Sequence, residues 1–405
     1  MKLSRRALAA EPFHAMAFSQ RAGDIEDHGH HVIRLSLGEP DFGAPPAVRA
    51  AMRDAMDGRP LPYTPALGLP ALRRAIAEFY LNRHGIAVDP GRIAVTSGAS
   101  AALLLTLAAT TDEGHDVVIA DPSYPCNRQL VDTFGGRAIL VPTSERSRFQ
   151  LTAASVAAAW TERTTAVMVA SPSNPTGTSV PADELDAVCT FAREQGAWRI
   201  VDEIYLELSD PAEDGAPAPT ILRSDPDAIV LSSFSKFFGM TGWRLGWAIL
   251  PDELVAPVER LAMNYFLCAS TPAQHAALEC FTPESLAVCE DRRRELLARR
   301  RMVVDGLSAI GLPATVVPDG AFYVYFDVSS TGLDAWSFCE RALEQAHVAL
   351  TPGLDFGDAT ADTHVRLSYT ASRADLAEGL RRLGLFVGGE DVHPRVTVPA
   401  KPGPS

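Results

Sequence analysis

The sequence predicts an α/β protein in which a large domain, built on a mostly parallel mixed sheet flanked by helices, is joined to a smaller α+β domain. Three observations lead there. At 405 residues the chain is long for one compact domain. Its 47% apolar and 21% charged composition fits a globular protein with a large core. Its middle alternates apolar runs of strand length with helix-length segments, the pattern of a sheet covered on both faces.

In chain order, the runs are RIAVT (92–96), DVVIA (116–120), RAIL (137–140), TAVMVA (165–170), RIVDE (199–203) and AIVLSS (228–233). Amphipathic stretches such as SAALLLTLAAT and ADELDAVCTFAREQG lie between them. This block predicts a large domain over 46–282. GAFYVYFDV (320–328) and THVRLSYT (363–370) instead alternate as half-buried strands, with helices expected at 334–346 and 372–384. They predict a small domain over 283–388, completed by HVIRLSLG (31–38) from an N-terminal arm, 1–45. The Pro/Gly-rich end, 389–405, reads as a mobile tail.

Charge and composition narrow the function. A net charge of −14 argues against nucleic acid or an anionic membrane as a general partner. The basic stretch from Glu290 to Leu307 interleaves arginines with Glu290, Asp291 and Glu295, so it reads as a solvated helix face, with Leu296, Val303 and Leu307 turned inward. No apolar run is long enough to span a bilayer. MKLSRRALAA lacks the apolar core of an export signal and reads as a mobile terminus. Six cysteines without a CxxC pair suggest reduced thiols in the cytoplasm. His28, His30 and His31 lie in a polar loop with no ligand geometry, so no metal site is expected.

Ligands of an open parallel sheet bind beyond the carboxyl ends of its strands. Five such ends carry polar groups here. RIAVT leads to Gly98, Ala99 and Ser100, a helix start whose free N–H groups suit an anion. DVVIA leads to Tyr124, TAVMVA to Asn174, RIV to Asp202 and Tyr205, and AIVLSS to Ser233, Ser235 and Lys236, with Arg244 eight residues on. Singly, each has a plainer structural explanation: a cap, a turn, a packed ring. There is no GxGxxG or Walker motif, so dinucleotides and nucleoside triphosphates lose support. Phe234, Phe237 and Phe238 are expected to desolvate Lys236, and Arg244 to repel its proton, both favouring the neutral amine. Gly239, Gly242 and Gly246 are expected to let the backbone turn around a ligand. An amine, an acid, a phosphate cradle and a stacking ring together meet the needs of pyridoxal 5′-phosphate.

The chain also resembles the aspartate aminotransferase family, class I/II, of pyridoxal-phosphate-dependent fold type I enzymes. The likeness runs through VIRLSLGEPDF, YTPALGLPALR, VTSGAS, DPSYP, SPSNPTG, VDEIY, SFSKFFGMTGWRLGW, GAFYVYFDV and VRLSYT, and the TGWRLGW form resembles its bacterial subgroup. The resemblance implies a transaminase working by a ping-pong mechanism. Lys236 would form the internal aldimine and, freed, act as the base, while Asp202 pairs with the pyridine nitrogen. Asn174 and Tyr205 would hold the ring hydroxyl and Tyr124 would stack on the ring. The Gly98–Ser100 amides, Ser233, Ser235 and Arg244 would hold the phosphate, joined by Tyr63 from the neighbouring subunit of a homodimer. Arg366, with Asn174 and the Gly38 amide, would clamp the substrate α-carboxylate. No second substrate-reading arginine can be assigned, and Phe13 and Phe18 of the arm would border the entrance.

The same constellation also serves C–S β-lyases and specialised biosynthetic enzymes. A cofactor-sensing transcriptional regulator would need an N-terminal DNA-binding domain, and the resemblance already begins near Val32. A Rossmann-type oxidoreductase is disfavoured by the missing glycine fingerprint.

Overall fold

The computed structural model describes residues 2–9, 12–212 and 215–389. A two-residue strand, β1 (Ile33–Arg34), precedes the large sheet. That sheet contains β2 (Ile93–Thr96), β3 (Asp116–Asp121), β4 (Arg137–Pro142), β5 (Thr164–Ala170), β6 (Trp198–Asp202), β7 (Ile229–Ser233) and β8 (Gly246–Ile249). Its order is β2-β8-β7-β6-β5-β3-β4. All the predicted apolar runs are strands in it. β8 was not foreseen: it starts at the end of the Gly-rich TGWRLGW stretch and runs antiparallel to both β2 and β7. The other pairings are parallel, which makes the sheet mixed but mostly parallel.

Side chains on alternate residues of these strands feed two cores. Val95, Val118, Val167, Val169, Val201 and Val230 belong to one core, which includes residues of the helices Pro70–His84 and Ala182–Glu194. Val117, Ile119, Met168, Ile200 and Ile229 belong to the other, with the helices Ala99–Thr110 and Asp252–Tyr265. Helices on both faces leave the carboxyl edge of the sheet as the open side.

The C-terminal unit contains β9 (Tyr323–Asp327), β10 (Val348–Ala349), β11 (Thr351–Pro352) and β12 (His364–Ser368). β11, β12 and β9 form an antiparallel sheet. The 31–38 segment joins this unit as expected. Ile33 pairs with Val348, and Ser368 N donates to Leu35 O at 2.8 Å. The N-terminal stretch expected to be mobile includes a short helix, Arg5–Ala9, followed by a helix over His14–Asp27. The tail expected from 389 lies, from residue 390 on, outside the described residues.

The basic stretch sits on the long helix Pro283–Ala309, with Leu296, Val303 and Leu307 buried as predicted. Its arginines do not form one solvated face. Arg299 is buried: its Nη1 donates to Asp41 and to the carbonyls of Thr370 and Ala371, its Nη2 to Asp41 and its Nε to Glu295. The pattern of alternating charge could not show that carbonyls of two distant segments would need this guanidinium. Removing it strands a carboxylate and two carbonyls. Arg299→Ala should therefore lower stability by about 3 kcal/mol, read as a fall in the urea midpoint. A change below about 1 kcal/mol would mean that water replaces these contacts.

Candidate active site

Beyond the carboxyl edge lies a cavity of about 450 Å³, closed on its far side by β9 and β12 of the small sheet. Parallel strands fix what enters it. Ala170, Asp202 and Ser233 end β5, β6 and β7 respectively, and Asn174, Tyr205, Ser235 and Lys236 follow within a few residues. Of the residues singled out from the sequence, Ala99, Ser100, Tyr124, Asn174, Asp202, Tyr205, Ser233, Ser235, Lys236, Arg244, Arg366 and Gly38 all line this space.

Lys236 Nζ donates to Gly38 O at 3.1 Å. Burial lowers its pKa to about 8, opposed by the charge of Glu39 and reinforced by Arg366 and Arg244. The rings beside the amine are Tyr205 and Phe322, at 5.6 and 5.5 Å, which corrects the expectation from the local sequence. Phe234, Phe237 and Phe238 instead turn into the core against Trp247, Phe281 and one another. Residues flanking a strand-end lysine diverge from it, so the desolvating rings had to come from elsewhere. Asp202 is pushed up to about 6 by burial, eased by the Ile204 N–H and by Lys236.

Three glycines shape the floor. Gly98 has φ +85°, and a Cβ there would lie 2.5 Å from Arg244 Nη2. A Cβ on Gly246 would meet Ala99 N and Ser232 O at 2.7 and 2.8 Å. Gly38 has no room because the Tyr323 hydroxyl would be 1.8 Å away. Gly239 does turn with φ +65°, whereas Gly242 faces open space, so its expected turning role has no structural basis. Ala99, Ser100, Ser235 and Arg244 thus form a cradle with backbone donors at a helix start. Gly98, expected to join them, is not among the cavity walls, and its N–H is spent on Thr96 O at 2.8 Å. The Ser233 hydroxyl accepts from Ser235 N at 2.9 Å.

Arg366 reaches the cavity from β12 and is 2% exposed. Its Nη1 donates to Asn174 Oδ1 at 2.7 Å and its Nη2 to Ser36 O and Thr351 Oγ1. The guanidinium lies over the rings of Tyr323 and Phe356, at 4.5 and 4.9 Å. Its Nε–H is buried without a partner. A buried arginine with an unspent donor beside a cavity suits an incoming carboxylate.

Tyr63 is outside this group, 78% exposed and not among the cavity walls. Sequence reasoning missed Tyr323, whose hydroxyl is 3.0 Å from that of Tyr205, as well as Glu39 and Met16 at the rim. Cys126 lines the cavity too. One global signal was available. The chain has only three lysines, Lys2, Lys236 and Lys401, so Lys236 is the only one between the termini.

The comparisons agree with this geometry. A family model described as "Aminotransferase class I and II" matches residues 30–383. The chain is 38% identical to a valine–pyruvate aminotransferase of Mycobacterium tuberculosis, over 93% of this chain and 96% of that one. It is 36% identical to an aspartate/prephenate aminotransferase of Thermus thermophilus, over 95% and 99%. A crystal structure of an aminotransferase from Mycobacterium tuberculosis superposes with a TM-score of 0.91 at 37% identity, covering 96% of this chain and all of that one.

Amine-selective acylation of the protein alone should modify Lys236 with a rate half-maximal near pH 8, because only the neutral amine reacts. Removing the opposing charge with Glu39→Gln should move that midpoint lower. A midpoint near the ordinary lysine value of 10.5 would show that the amine is not desolvated.

Proposed function

The chain belongs to the class I and II aminotransferases, and from that membership we propose that its cavity holds pyridoxal 5′-phosphate and serves both half-reactions of amino-group transfer from an L-amino acid to a 2-oxo acid. The observation that carries this reading is a desolvated amine, Lys236, in one cavity with a buried arginine, Arg366, that has a donor unspent. The residues present fit the cofactor. The cradle of Ala99, Ser100, Ser235 and Arg244 suits a phosphate, a carboxylate at Asp202 suits a protonated ring nitrogen, and the Tyr124 ring suits a flat heterocycle. When bound, the cofactor supplies an electron sink for the bond broken at the substrate Cα, which no side chain can provide.

The chain's own residues do the rest. Arg366 takes the α-carboxylate as a planar pair, with Asn174 orienting the guanidinium, and so sets which Cα bond faces the ring. Lys236 would accept the substrate Cα proton and later give it up again, a task suited to an amine whose pKa lies near 8. Asp202 would hold a proton on the ring nitrogen, and that cation would offset the burial that pushes the Asp202 carboxyl up to about 6. The Tyr205–Tyr323 pair fixes one side of the space.

We take 46–282 as the cofactor domain and 283–388 as the small domain; the seven-stranded and three-stranded sheets fall on either side of that division. A homodimer is supported by Tyr63, Met263, Tyr265 and Leu267, all exposed by 49% or more. The Thr271 hydroxyl donates to Pro62 O, which brings the segments around Tyr63 and Thr271 together. No helix among the described residues is long and apolar enough to cross a membrane, and all six cysteines are free, which supports a cytoplasmic site.

Lys236→Ala should abolish turnover, seen as loss of amino-acid-dependent spectral change in the cofactor-loaded protein. Arg366→Ala should lower kcat/KM by about 30- to 3000-fold, the loss of one buried charge pair of about 2–5 kcal/mol. Normal turnover in either variant would contradict the reading.

A further inference from the structure

The relatives named for valine and for aspartate differ in the side chain they accept, so the cavity itself must decide for this chain. Three cations line it, Lys236, Arg244 and Arg366. On the reading above, which this inference rests on, all three are committed to the cofactor or to the α-carboxylate. Among the described residues no other lysine, arginine or histidine of this chain lines the space, so the chain itself offers a side-chain carboxylate no counter-charge. Phe13, Met16 and Leu37 form an apolar wall. Two carboxylates line it as well: Asp202, committed to the cofactor on the same reading, and the exposed Glu39, and both act on Lys236.

The wall has a definite support. Phe13 precedes the helix His14–Asp27 and gives that helix no side-chain cap. Asp355 supplies the cap from the far unit, its two carboxylate oxygens accepting His14 N and Ala15 N at 2.8 Å each. Asp355 is 2% exposed and follows β11 on the way to β12. The helix continues into the core through Phe18, which packs on Trp336. Phe13 itself meets the Tyr124 ring edge-on at 6.4 Å. The residue after Asp355, Phe356, lies under Arg366, so one turn supports both the wall and the carboxylate clamp. Gly357, next in that turn, has room for no Cβ, because Asp121 Oδ1 would be 1.9 Å away.

We propose that this cavity selects amino acids with uncharged, apolar side chains, and that Asp355 is the positioning residue for that choice, because it holds Phe13 and Met16 against the substrate side chain. An apolar wall of this kind discriminates by the methylenes it covers, about tenfold or more for each one. Leucine should therefore outrun alanine, and both aspartate and arginine should fall well behind.

The test uses the cofactor-loaded full chain. Rates with L-leucine, L-alanine, L-aspartate and L-arginine are measured alongside calorimetric binding of two unreactive acids, 4-methylpentanoate and succinate. The expected results are a kcat/KM for leucine about 100-fold above those for aspartate and arginine, and tighter binding of 4-methylpentanoate. Phe13→Ala, at a half-buried rim position, should cut the leucine-to-alanine ratio about tenfold. Asp355→Ala should do the same mainly through KM, and Asp355→Asn, which keeps one acceptor, should fall between it and the parent. A preference for aspartate or arginine, or ratios unmoved by Phe13→Ala and Asp355→Ala, would overturn the proposal. If no amino acid reacts at all, the transaminase reading fails, and the two unreactive acids still decide the side-chain preference.

Discussion

Parallel strands that end at one edge of a sheet bring residues distant in sequence to one place, and the site of this protein rests on that constraint. β5, β6 and β7 stop side by side, at Ala170, Asp202 and Ser233. Their following turns have nowhere to go but over the open edge, because helices cover both faces. The antiparallel strand β8 completes the arrangement by returning between β7 and β2, with Gly246 pressed between Ser232 and the start of the helix at Ala99. Any side chain at Gly246 would push the cradle away from the amine. The position of Lys236 and the shape of the anion site are therefore one structural fact.

Arg366 ties this edge to the small sheet. It crosses the gap to Asn174 and also takes the carbonyl of Ser36, from the segment that pairs with the C-terminal unit. Two rings sandwich it, and burial in low dielectric makes its free donor more attractive to an anion. The turn holding Asp355, Phe356 and Gly357 then links the arginine to the N-terminal helix on one side and to Asp121 at the end of β3 on the other. On the proposed reading, substrate selection and carboxylate binding share that turn.

Much of this was legible in the sequence because strand ends can be read from short apolar runs. That logic found Tyr124, Asn174, Asp202 and Lys236 without contact information. It could not find Tyr323, which lines the cavity from β9, or Phe322, which reaches the amine from the residue just before it, since the docking of one sheet on another leaves no local pattern. The same limit explains the phenylalanines around Lys236: their abundance was visible, and their direction was not. β8 was missed because it is only four residues long and opens on a glycine, directly after a stretch containing Gly242 and Arg244. The capping role of Asp355 was invisible for a different reason, as its partners lie some 340 residues away.

The most direct measurement follows from the scarcity of lysine in this chain. The protein is loaded with pyridoxal 5′-phosphate, reduced with borohydride to fix the carbonyl cofactor to whichever amine holds it, and mapped by mass spectrometry of its peptides. The account predicts the added mass on the peptide containing Lys236 alone. A catalytically competent preparation with the mass on Lys2 or Lys401, or with none on Lys236, would contradict it.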